Sequence, residues 1–94
     1  MHTTAEVSRA TGIPVSTLRL WVSAGWLHPA SPGDGRGTVH MWDEDNLAQA
    51  RAIAEIKGLF GDGAAARQVI PEVVSRVTRD TGTVLIRGFA LVLG

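Results

Sequence analysis

The stretch Thr3-Thr4-Ala5-Glu6-Val7-Ser8-Arg9-Ala10-Thr11-Gly12-Ile13-Pro14-Val15-Ser16-Thr17-Leu18-Arg19-Leu20-Trp21-Val22-Ser23-Ala24-Gly25 decides the fold. Thr3, with Glu6 three residues on, fits a capping box: the hydroxyl covers one orphan N–H and the carboxylate reaches back to another. Ala5, Val7 and Ala10 supply apolar contacts for the helix that follows. Gly12 then offers the left-handed exit that other residues take only at a steric cost. Pro14 suits the first turn of a second helix, where its missing N–H is not needed. The spacing predicts that helix over residues 14–24, with Val15, Leu18 and Val22 at i, i+3 and i+7 as the buried stripe. Ser16, Thr17, Leu20 and Ser23 point away from it. Arg19 sits on the shoulder, where its long stem lets the guanidinium reach outward. Two short helices around a Thr-Gly turn make a helix-turn-helix.

Moving outward, Trp26-Leu27-His28 reads as a short strand closed by Pro29. Residues 30–37 hold three glycines and one proline, the composition of a loop. Thr38-Val39-His40-Met41-Trp42 alternates, with Val39 and Met41 on one face and Thr38, His40 and Trp42 on the other. Two strands around that loop form a β-hairpin with Arg36 at its glycine-flanked tip, a wing in this position. Asp43 is a suitable N-cap for a third helix over residues 44–59, whose apolar face is Leu47, Ala50, Ile53, Ala54 and Ile56. Gly58, Gly61 and Gly63 mark its end. Asp62 is placed to cap a fourth helical segment, residues 64–70. Pro71 predicts a break there, because an interior proline costs about 3 kcal/mol, with helix resuming over residues 72–79. Residues 83–93 are β-branched and apolar, either a single strand or two strands about Arg87-Gly88. The fold class expected is mainly α: a winged helix-turn-helix with a small β-hairpin wing and a C-terminal β element.

Composition bounds the function. The chain has 94 residues, 45% hydrophobic and 19% charged, enough for one small globular core. It has no cysteine, so disulfides, Cys-ligated zinc, iron–sulfur clusters and thiol catalysis are excluded. No apolar run approaches the roughly 18 residues of a membrane span, and Met1-His2-Thr3-Thr4-Ala5-Glu6 does not read as a signal peptide. A cytoplasmic protein is therefore expected. Nine basic and nine acidic residues sum to zero, which taken whole argues against a nucleic-acid partner. The distribution answers part of that objection: residues 7–33 contain Arg9, Arg19 and His28 and no acid, before Asp43, Glu44 and Asp45 arrive together. An enzyme is not expected, because those acids are adjacent and capping, and no serine sits on a nucleophile elbow. Trp21, Trp26 and Trp42 read as core, since each buries a large area in a chain with only two phenylalanines. His2, His28 and His40 lack the spacing of a metal site.

Residues 3–60 resemble the DNA-binding domain of MerR-family regulators. The likeness rests on Thr4 to Ile13, then Thr17-Leu18-Arg19-Leu20-Trp21, then Gly25-Trp26-Leu27-His28-Pro29, the Gly35-Arg36-Gly37 wing and Asp43-Glu44-Asp45-Asn46-Leu47. Excisionases of phage recombination share this architecture. The chain departs from the family pattern at Ser16, where a basic residue is common, and at Leu20, where an aromatic is usual. The wing aromatic is missing beside Arg36, with His40 and Trp42 further along. The resemblance implies a DNA-binding unit over 1–60, with duplex contacts from Ser16, Thr17, Arg19, Leu20, Arg36 and His40, no metal and no cofactor. It implies transcriptional regulation, with an excisionase-type bending factor or a protein-interaction module without DNA binding as alternatives. After residue 60 the family's long dimerising helix and effector domain are expected to be absent. That leaves 61–94 as a helical segment with an apolar tail, a homodimer or an array on DNA, and no small-molecule effector.

Overall fold

The computed structural model describes residues 1–31, 40–86 and 89–93, the side chains of Ile86 and Phe89 apart. In chain order the elements are β1 (His2–Thr3), α1 (Thr4–Thr11), α2 (Val15–Ser23), β2 (Met41–Trp42), α3 (Glu44–Phe60), α4 (Ala64–Val74), β3 (Thr83–Ile86) and β4 (Phe89–Val92). The molecule is mainly α, a helix-turn-helix followed by a helix pair and a terminal hairpin.

Both caps of α1 are as the sequence dictates. Thr3 Oγ1 accepts from Glu6 N at 3.2 Å, and Thr3 N donates to Glu6 Oε1 at 2.9 Å. Gly12 takes φ 76° and its N–H donates to Ser8 O at 2.8 Å, which turns the chain into α2. Ala5 and Ala10 are exposed, so Val7 alone anchors α1 in the core. Pro14 sits one position earlier than expected. It is the N-cap of α2, and its carbonyl accepts from Thr17 and Leu18. The buried stripe of α2 is Leu18 and Trp21, while Val15 and Val22 are half-buried.

Trp26-Leu27-His28 is not a strand. The N–H groups of Trp26 and Leu27 both turn back to Trp21 O, at 3.0 and 3.4 Å, and His28 O is taken by the Asn46 side chain. With those groups committed and no N–H on Pro29, no ladder is left to form. β2 pairs antiparallel with β1, His2 opposite Trp42 and Thr3 opposite Met41. On its other side Met41 exchanges two hydrogen bonds with Ser31, at 2.8 and 3.1 Å. Residues 32–39, including the expected tip and the start of its second strand, lie outside the described residues.

α3 packs between α1 and α4, so its buried set (Leu47, Ala50, Ala52, Ile53, Ile56) is wider than one stripe, and Ala54 is exposed. Asp43 caps it as expected, accepting from Asn46 N at 2.8 Å. α3 runs through Gly58 and ends at Gly61, φ 73°. Asp62 does not cap α4. The N-cap is Gly63, without a side-chain bond, and Asp62 Oδ1 accepts instead from Lys57 Nζ at 2.6 Å. Nor does Pro71 break α4. The helix continues through it to Val74, and no helix extends over 75–79. Ala66, Val69, Ile70, Val73 and Val74 are all buried on one side of α4. That burial, at about 1.5–3 kcal/mol for each large side chain, outweighs one missing hydrogen bond on the exposed side where Pro71 stands.

The tail is two strands. β3 and β4 pair antiparallel, from Thr83 opposite Val92 to Ile86 opposite Phe89. Val84 and Leu91, opposite one another, face the core. Leu85 and Val92 face outward, 72% and 66% exposed.

Candidate nucleic-acid interface

Leu18 and Trp21 pin α2 to the core, and this sets what its other side presents. Ser16, Arg19, Leu20 and Ser23 fall at i, i+3, i+4 and i+7, and all are exposed. Leu20 is 64% exposed, an apolar side chain held on an otherwise polar face. Thr17 is half-buried at the flank. Of the six candidate residues, three (Ser16, Arg19 and Leu20) therefore share one open face of α2, with Thr17 at its edge. No acid lies in the first turn of α2, so its N-terminal dipole end is not neutralised locally.

His40 is elsewhere. It is half-buried, with its ring edge-on to Trp42 at 6.4 Å between centroids. Trp42 is fully buried, and its Nε1 donates to Thr4 Oγ1 at 3.0 Å. His40 and Trp42 do lie on one face, and that face turns inward, with Trp42 in the core as expected. Arg36 lies outside the described residues. Trp21 is in the core as expected, and Trp26 is half-buried.

Sequence reading missed two cations beside α2. Leu20, Trp21, Ala24, Trp26, Lys57, Asp62 and Arg67 line one groove of about 550 Å³. Lys57 Nζ stands 5.4 Å from the centre of the Trp26 ring while donating to Asp62. That hydrogen bond holds the Asp62 carboxyl below the ordinary aspartate value, with a smaller contribution from the charge of Arg67. Two cations against one carboxylate leave the groove net positive. Lys57 lies in the last turn of α3 and Arg67 in the first turn of α4, so only the α3–α4 turn brings them to α2. No linear spacing signals it.

The other residue missed is Asn46, 5% exposed and the buried polar side chain of the described core. Its Oδ1 accepts from Ala30 N and Asp43 N, both at 3.0 Å. Its Nδ2 donates to His28 O at 3.0 Å and to Gln49 Oε1 at 3.3 Å.

A short first helix, a glycine turn and a second helix locked to the core by two large side chains, with an open polar face, define a helix-turn-helix protein. The model for the MerR HTH family of regulatory proteins matches residues 2–70, and the chain belongs to that family, one of DNA-binding regulators. Neither the curated proteins nor the solved structures include a significant match. Among the described residues, no helix is long and apolar enough to cross a membrane.

Proposed function

We propose that the chain binds double-stranded DNA sequence-specifically and acts as a transcriptional regulator, with α2 in the major groove. The observation that carries this is the exposed Ser16–Arg19–Leu20–Ser23 face on a helix fixed by Leu18 and Trp21. Hydroxyls read either strand, Arg reads guanine or holds a phosphate, and Leu20 is suited to a thymine methyl. Lys57 and Arg67, on the rim of the groove next to Leu20, are placed to meet flanking phosphates. Arg36, in the segment between Ser31 and His40, contacts a neighbouring minor groove or backbone in this reading. The contacts come from residues 1–60, together with Arg67. No cofactor and no small-molecule effector enter this scheme, and the site of action is the cytoplasm.

One module buries too little surface for tight binding, so two copies or an array are needed on DNA. The outer face of the terminal hairpin, with Leu85 and Val92, is the surface proposed to bring a second copy.

Fluorescence anisotropy on labelled duplexes, with a salt titration, tests the reading. Saturable binding is expected, and Arg36→Ala should reduce the log–log salt slope by about 1 if the side chain holds one phosphate. Absence of binding at low salt would remove DNA as the partner and favour a protein-interaction module.

A further inference from the structure

Between α2 and α3, two described stretches flank residues 32–39. One is His28–Ser31 and the other is His40–Asp43. The β-bridge between Ser31 and Met41 ties them once. Asn46 ties them a second time from beneath, because its single carboxamide bonds His28 O and Ala30 N on one end and Asp43 N on the other. The group is fully used: two bonds accepted by Oδ1 and two donated by Nδ2. Gln49 fixes which way the amide faces. Its Oε1 accepts from Asn46 Nδ2, and its own Nε2 donates to Val77 O at 3.1 Å, so the orientation is anchored in the segment after α4.

We infer that Asn46 is a positioning residue for the loop that carries Arg36: its carboxamide sets the separation and register of both loop ends and so aims the loop at DNA while touching no DNA itself. This rests on the DNA-binding reading above. An aspartate here keeps two acceptors, for Ala30 N on one end and Asp43 N on the other, but offers no donor to His28 O or Gln49 Oε1, so it keeps one bond to each end and repels His28 O at the first. Alanine releases both ends.

The test is a pair of double-mutant cycles with full-length protein and a labelled duplex, together with amide hydrogen exchange in the free protein. Asn46→Ala is expected to weaken binding roughly tenfold and to speed exchange of the Ala30 and Asp43 amides. The weakening should largely vanish when Arg36→Ala is already present and persist in full beside Arg19→Ala, because only the former shares its route to DNA. Asn46→Asp should give an intermediate loss, and it serves the same cycles if the alanine variant does not fold. Equal losses in both backgrounds would overturn the inference, since a general effect on stability acts on both. Failure of the DNA reading shows separately, as Arg19→Ala and Arg36→Ala each leaving the wild-type interaction unchanged. The exchange of Ala30 and Asp43 then decides alone, and unchanged exchange in the variant overturns the inference.

Discussion

Arg19 is the sole charged residue of α2, exposed on the same face as Ser16, Leu20 and Ser23. Its loss removes a donor fork without disturbing the Leu18–Trp21 anchor. Arg19→Ala is therefore expected to lower specific DNA affinity by about 1–3 kcal/mol with an unchanged melting temperature, read by anisotropy and circular dichroism. Among the described residues, four carboxyls are held below their ordinary pKa values, each by identifiable partners. Glu6 is held down by the Thr3 cap, Glu44 by the His2 ring nitrogen at 2.6 Å, Asp45 by the Arg79 backbone N–H at 2.8 Å, and Asp62 by Lys57. In each case the folded state binds the proton less readily than the unfolded chain, so these groups stabilise the fold above the ordinary carboxylate range. The contribution is lost as pH falls through that range and below it. Melting temperature should accordingly be level from pH 7 to about pH 5 and drop between about pH 4.5 and 2. A profile that stays flat to pH 2 would refute the assignment of those four bonds. The Glu6 cap was legible in the sequence, because it spans three residues. The partners of Glu44 and Asp45 lie 42 and 34 residues away, and nothing local marks them.

At the scale of elements, α4 shows how burial overrides a local signal. Pro71 stands on the exposed side of a helix whose other side buries Val69, Ile70, Val73 and Val74. The proline denies Arg67 O its usual donor, and both residues are exposed. Pro71→Ala restores the donor and is expected to raise unfolding stability by about 1–3 kcal/mol, measured by urea denaturation, with no change in helix boundaries. A neutral or destabilising outcome would mean that the proline fixes the end of α4 rather than burdening it. The expected Trp26–His28 strand failed for the opposite reason. Its residues favour a strand, but its backbone groups are already spent on Trp21 O and on Asn46. Propensity describes a free backbone, and this one is not free. The caps of α1 and α3 were readable from sequence because donor and acceptor are set by the same turn of chain.

Taken as a whole molecule, the terminal hairpin separates two roles. Val84 and Leu91 close the core, whereas Leu85 and Val92 lie open on the outer face. Replacing the outer pair, Leu85→Ser with Val92→Ser, should leave the melting temperature nearly unchanged and abolish self-association by sedimentation equilibrium, with weaker and less cooperative binding to a two-site duplex. A wild-type chain that stays monomeric at high micromolar concentration would discard the hairpin as a dimer surface and leave arrays on DNA. The sequence by itself determined the helix-turn-helix, its caps, the open face of α2 and the family, because each depends on contacts within one or two turns of chain. Only the tertiary structure decided that β1 and not residues 26–28 pairs with β2, that Lys57 and Arg67 flank Leu20, and that Asn46 joins both ends of the Arg36 loop. Those outcomes depend on which distant groups compete for one hydrogen bond or one buried surface. That competition is settled only when the elements pack.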